Sequence, residues 1–144
     1  MRVLEMCAGA GGQALGFEQA GFEHSALVEI DEWACKTLHI NRPNWNVIRG
    51  DLNEFDAKPY SQVDVVAGGL PCPPFSKAGK QLGSADERNL FPAALRIIRQ
   101  IRPRAVVIEN VRGILDAIFD DYRNAFSKQM GKPSTTCVVP FTAQ

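Results

Sequence analysis

The sequence predicts an α/β fold, a mostly parallel sheet with helices on both faces. Two observations carry this. Short apolar, β-branched runs alternate with stretches of helical length along the whole chain. The residue types suited to chemistry (Gly9–Gly12, Glu29, Asp51, Pro71–Cys72 and Glu109–Asn110) fall where the strands end, and ligands of parallel α/β sheets bind at those ends. With 144 residues, 45% hydrophobic and 22% charged, the chain can hold one domain with a real core.

Taken in order, a strand over 2–7 runs into the turn Ala8-Gly9-Ala10-Gly11-Gly12, and a helix follows over 13–20. Gly9, Gly11 and Gly12 let the backbone turn tightly and approach a ligand that a Cβ would block. A second strand over 25–29 ends on Glu29, 17 residues past Gly12, and leads through Ile30 to a helix over 32–41. A third, over 46–49, ends in Gly50-Asp51-Leu52. The fourth, over 63–68, holds Val63-Asp64-Val65-Val66-Ala67 and opens into Gly68-Gly69-Leu70-Pro71-Cys72-Pro73-Pro74-Phe75-Ser76. The irregular stretch over 71–89 adds Gly79 and Gly83, and a loop of that length is the kind used as a functional lid. A helix over 90–101, the strand Ala105-Val106-Val107-Ile108-Glu109 and a helix over 114–129 complete the pattern. The tail from Gly131 to Phe141 reads equally as an added strand or a frayed end. No internal repeat is present.

Cys72 stands between prolines directly after a buried strand, on a stiffened turn. A soft nucleophile on a preset loop suits attack on electrophilic carbon, although a buried structural cysteine fits the same pattern. Cys7, Cys35, Cys72 and Cys137 are scattered, with no Cys-x-x-Cys pair. That spacing argues against zinc and against a disulfide framework, and for reduced thiols in a cytoplasmic protein. No run approaches the roughly 20 apolar residues of a membrane span, and none resembles a secretory signal.

Three segments together, Val3-Leu4-Glu5-Met6-Cys7-Ala8-Gly9-Ala10-Gly11-Gly12, Pro71-Cys72-Pro73-Pro74 and Glu109-Asn110-Val111, resemble in order and spacing the cytosine-C5 DNA methyltransferase family. The resemblance covers roughly residues 1–129 and leaves 130–144 as a tail that departs from the family pattern. It implies a Rossmann-like, S-adenosylmethionine-dependent methyltransferase fold, C-terminally incomplete, of prokaryotic or phage-like origin and restriction-modification type. The cofactor would lie against Cys7, Ala8, Gly9, Gly11, Gly12, Glu29, Ile30, Asp51, Leu52 and Pro71, leaving S-adenosylhomocysteine as product. Glu29 would hold the ribose hydroxyls, Ile30 would pack on adenine, and Asp51 would accept from its amino group; helix capping is the plainer role for both acids. Cys7 departs from the phenylalanine frequent at its position, which removes a stacking partner but not the pocket. Cys72 would be the nucleophile, Glu109 its partner at the pyrimidine edge, Asn110 a tie between strand ends, and Arg88 a loop arginine reaching the target base or its phosphates.

Double-stranded DNA is the partner this implies, and the charge distribution agrees. Residues 1–64 carry five Lys/Arg against ten Asp/Glu, a net of −5, whereas residues 77–104 carry seven against two, a net of +5. Basic side chains directly after Cys72 suit a phosphate backbone. Ser76, Lys77, Lys80, Gln81 and Arg88 are the expected DNA contacts, while Arg96, Arg99 and Arg102 fall at helical spacing and read as a solvated face. Whole family members add a Gln-x-Arg-x-Arg-like motif, a target-recognition domain and a closing C-terminal helix, none of which follows here. The chain therefore reads as the catalytic part of a methyltransferase, with an inactive remnant or one subunit of a split enzyme as alternatives. A complementary C-terminal chain or self-association would then supply the missing cover. A nicotinamide-dependent oxidoreductase shares the glycine turn but gives no reason for Pro-Cys-Pro-Pro or Glu-Asn.

Overall fold

The computed structural model describes residues 1–71, 89–117, 120–130 and 135–141. Among the described residues six strands form one sheet in the order β3-β2-β1-β4-β5-β6, and their pairings are all parallel. They are β1 (Arg2–Met6), β2 (Glu23–Glu29), β3 (Val47–Arg49), β4 (Val65–Gly69), β5 (Ala105–Val111) and β6 (Thr135–Phe141). The helices are α1 (Gly12–Gln19), α2 (Glu32–Asn41), α3 (Phe91–Ile101) and α4 (Asp120–Met130). The chain winds outward from β1 to β3, then returns to lay β4 against the other side of β1. That reversal leaves a crevice at the carboxyl ends of β1 and β4, the place where doubly wound sheets bind ligands.

The apolar strand runs are buried on both faces. On one side Leu4, Met6, Val66, Val106 and Ile108 pack with Ala94, Leu95, Ile98 and Ile101 of α3, and Phe126 of α4 meets Phe91 edge-on at 5.0 Å. On the other, Val3, Val65 and Ala67 pack with Phe17 and Phe22, and Leu27 with Ala14 and Leu38. α2 is capped by Asp31, whose carboxylate accepts from Ala34 N at 2.7 Å. α3 ends at Arg102, in left-handed conformation at φ 53°, with Pro103 next to prevent continuation.

Two expectations need correction or completion. The helix expected over 114–129 begins only at Asp120; Arg112–Leu115 form a separate 3-10 turn. Asp120 and Asp121 occupy the first turn of α4, where negative charge suits the helix dipole. The tail is not frayed: Thr135–Phe141 pairs along the whole of β5. The loop read as a lid, and with it Cys72, Ser76, Lys77, Lys80, Gln81 and Arg88, lies outside the described residues. No described helix is long and apolar enough to cross a membrane.

Candidate active site

Two adjoining cavities open at the carboxyl ends of the central strands. The first, of about 590 Å³, is walled by Cys7, Val28, Glu29, Ile30, Gly50, Asp51, Leu52, Asn53, Gly69, Pro71 and Leu90. The second, of about 510 Å³, is lined by Glu5, Cys7, Ala8, Gly12, Gln13, Gly69 and Glu109. Cys7 and Gly69 border both.

The glycine turn shapes this place rather than lining all of it. Gly9 and Gly11 adopt φ of 54° and 93° and line neither cavity. At Gly11 the φ of 93° strains any L side chain, and a Cβ there would also lie 2.6 Å from Leu38 Cδ2, so the leucine would have to move. Gly12 starts α1 and would point a Cβ into open space. Cys7 is also left-handed, at φ 53°, a conformation that costs a non-glycine residue on the order of 1–2 kcal/mol.

Glu29 is buried, and its carboxylate fastens three backbone amides. Oε2 accepts from Gly9 N at 2.7 Å, and Oε1 from Ile30 N at 2.8 Å and Asp31 N at 2.9 Å. It thus ties the glycine turn to the end of β2, while the cap of α2 is Asp31. A carboxylate has about four lone-pair sites, so capacity for a ligand hydroxyl remains. Asp51 Oδ1 accepts from the Asn53 backbone at 2.8 Å and side chain at 3.0 Å, holding a tight turn at the cavity wall. Ile30 is 64% exposed at the rim, a large apolar surface left open beside a pocket.

The opposite wall comes from β4 and β5. Gly69 pairs with Glu109, and a Cβ on Gly69 would sit 3.0 Å from Glu109 Oε2. Asn110 is buried; its Nδ2 donates to Leu70 O at 3.1 Å and its Oδ1 accepts from Val111 N at 3.0 Å. The amide therefore joins the end of β5 to the segment leaving β4. Pro71, on the first cavity's wall, is the residue before Cys72 in the chain. Cys7 and Cys35 are poor nucleophiles. The Cys7 thiol is pushed up to about 12 by burial and by the Glu29 and Asp51 carboxylates. Burial also raises Cys35, whose Sγ–H faces Glu29 O at 3.5 Å.

Sequence reasoning missed Glu5, Gln13 and Leu90 as cavity residues. Glu5 is 1% exposed; its Oε2 has no hydrogen-bond partner among the described residues, and burial raises its carboxyl to about 8 despite the Ala14 amide. An acid in the middle of a buried strand run was the available signal. Arg96 was misread. It is not part of a solvated stripe: its guanidinium donates to Leu52 O, Asn53 O and Phe55 O. No group of three or more potential metal ligands exists among the described residues.

Comparison with known proteins bears on this architecture directly. A family model described as C-5 cytosine-specific DNA methylase matches residues 1–132. Type II methyltransferase M.NgoMIV of Neisseria gonorrhoeae is 59% identical over 129 residues, covering 90% of this chain and 41% of the relative. Type II methyltransferase M.Eco47II of Escherichia coli is 53% identical over 116 residues, covering 79% and 28%. Among solved structures, Spodoptera frugiperda DNMT2 carrying three substitutions superposes with a TM-score of 0.71 at 27% identity, over 90% of this chain and 40% of that one. An Escherichia coli prophage protein assigned as a DNA modification methyltransferase superposes with a TM-score of 0.76 at 29% identity, over 90% and 37%. The chain thus spans less than half the length of these relatives. With the matched segment taking in the glycine turn, the Pro-Cys segment and Glu109-Asn110, the chain belongs to the C-5 cytosine-specific DNA methylase family.

Proposed function

We propose that this chain is the cofactor-binding and catalytic part of a DNA cytosine-5 methyltransferase of restriction-modification type. The observation that carries the reading is the pair of cavities sharing Cys7 and Gly69, one walled by Glu29 and Asp51, the other by Glu5 and Glu109. The lining fits S-adenosylmethionine. Val28, Ile30, Leu52 and Leu90 offer apolar surface for a purine, the Glu29 carboxylate suits ribose hydroxyls, and Asp51 suits an exocyclic amine. The unpartnered Glu5 Oε2 and the start of α1 suit the charged amino-acid end. When bound, the cofactor supplies an electrophilic methyl group on a sulfonium.

The protein's own task is to make cytosine C5 nucleophilic. The target base must leave the duplex to reach such a site. The Cys72 thiolate adds to C6, breaking ring aromaticity, while the Glu109 carboxyl shares a proton with N3 and holds the exocyclic amine. Electron density moves to C5, which becomes enamine-like. Once C5 carries the methyl group, loss of the C5 proton to a base restores the double bond and expels Cys72 as thiolate. Asn110 keeps the ends of β4 and β5 in register, so that Glu109 and the cysteine loop face one base. Arg88 and the loop residues Ser76, Lys77, Lys80 and Gln81 are assigned to the DNA strand.

Ligand stabilisation and nucleophile replacement test this. At a hundredfold excess over Kd, S-adenosylhomocysteine contributes about 2.7 kcal/mol. For a domain of this size that is a rise of roughly 5–10 °C in Tm, and NAD should give none. In an assembly with the C-terminal portion of a longer relative, Cys72→Ser should lower methyl transfer by more than about 10³-fold and leave that thermal shift intact. A shift with NAD alone, or a substantial residual rate in the variant, overturns the proposal.

A further inference from the structure

Arg96 reaches from α3 across to the segment that carries Asp51. Its Nη2 donates to Leu52 O at 2.9 Å and Asn53 O at 3.2 Å, and its Nη1 to Phe55 O at 2.8 Å. A further contact to Gln100 Oε1 at 3.3 Å braces the guanidinium from its own helix. Three carbonyls of one loop thus converge on one planar fork, which only arginine can supply. The loop needs it. Residues 50–57 contain no helix or strand. Their other backbone ties include Gly50 N to Glu29 O at the start, the local Asp51 turn closed by the Asn53 and Glu54 amides, and the Lys58 amide on Asp56, while Leu52, Phe55 and Ala57 bury their side chains in the core. Arg96 adds the side-chain fork that fixes the carbonyls of the turn itself to α3, whose N-terminal neighbour Leu90 lines the same cavity.

Resting on the reading of the first cavity as an adenosine site, we infer that Arg96 is a positioning residue for purine recognition: it holds the Asp51 turn where the carboxylate can accept from an exocyclic amine. The residue touches no ligand and acts through backbone. Its loss should therefore weaken selection for the amine more than it weakens binding at large. A merely structural arginine would affect every ligand alike.

The test measures affinities of the 144-residue chain and its Arg96→Met and Arg96→Lys variants for S-adenosylhomocysteine and for S-inosylhomocysteine, in which oxygen replaces the amine. The wild type should prefer the adenosine compound. Arg96→Met should bind it about tenfold or more weakly while binding the inosine compound within about twofold of wild type. Arg96→Lys, keeping the charge but not the fork, should resemble Arg96→Met, and amide exchange at Asn53 and Glu54 should quicken while α3 stays protected. Should Arg96→Met fail to fold, Arg96→Lys and its exchange pattern decide the matter. Unchanged preference in a folded variant, or equal loss of both compounds, overturns the inference. A wild type that binds neither compound overturns the adenosine reading itself.

Discussion

Glu5 shows how one side chain sets a measurable property of the molecule. It is enclosed between β1 and α1, and burial raises its carboxyl to about 8, so the folded protein keeps it protonated through neutral pH. In the unfolded chain the same group ionises near 4.5. The unfolded state therefore binds fewer protons between these values, and stability falls as pH rises from about 4.5 to about 8. The slope is up to about 1.4 kcal/mol per pH unit. His24, lowered by burial, acts in the opposite sense below its ordinary value of 6.5, and Cys7 enters only above 9.0. Urea unfolding of the protein beside its Glu5→Gln variant between about pH 7 and 8 therefore reads the Glu5 contribution as a difference. Glu5→Gln should flatten the decline over that interval and be the more stable protein at pH 8; an unchanged slope would show that Glu5 is ionised in the fold. At this scale the sequence is legible where a residue's type is at odds with a strand end, as with Glu29, Asp51 and Glu109. It is illegible where a contact is tertiary. Arg96, Arg99 and Arg102 share one spacing in the sequence, yet Arg96 is held by carbonyls more than 40 residues away, which no local pattern shows.

At the scale of elements, the carboxyl ends of β4 and β5 form a unit in which two adjacent glycines have different duties. A Cβ on Gly68 would stand 2.7 Å from Met6 O and 3.1 Å from Met6 Cβ, against backbone in the middle of a parallel sheet. Gly68→Ala must displace β1 or β4 and should cost about 1–3 kcal/mol, read as a lower urea midpoint with an unchanged slope. A Cβ on Gly69 would meet only Glu109 Oε2, at 3.0 Å. The carboxylate can yield by a few tenths of an ångström, so Gly69→Ala should leave stability within about 1 kcal/mol. In an active assembly it should reduce methyl transfer roughly tenfold, the scale expected when a catalytic group is misplaced by a fraction of an ångström. If both substitutions only destabilise, Glu109 has no positional demand on Gly69. The existence of these strands was legible because parallel strands buried on both faces read as continuous apolar runs. The start of α4 was not: Ile114 and Leu115 extend the apolar period backward into a 3-10 turn.

For the whole molecule, the alternation of strands with helices is enough to foresee a mostly parallel sheet with helices on both faces. The sixth strand is not legible in the sequence, because no turn chemistry or alternation singles out Thr135–Phe141. Its position now makes a prediction. Among the described residues β6 is the last strand in the sheet order, paired with β5. Its sequence, Thr-Thr-Cys-Val-Val-Pro-Phe, carries no charge, and Pro140 is its main obstacle to further pairing. Uncharged, β-branched edges of this length are templates for strand addition. The formal net charge of the chain is zero, which gives little repulsion against a second copy. Ile30, Trp33 and Ile40 add apolar surface at 64%, 72% and 81% exposure. A polypeptide of residues 1–144 should therefore self-associate through β6, and light scattering after size exclusion should give a mass that rises with loading concentration. Val138→Lys places a charge in that strand and should shift the distribution toward monomer. The C-terminal portion of a longer relative should do the same by covering the sheet, and with it methyl transfer to cytosine should appear. A monomer with full turnover at every concentration would mean that residues 1–144 need no cover at all.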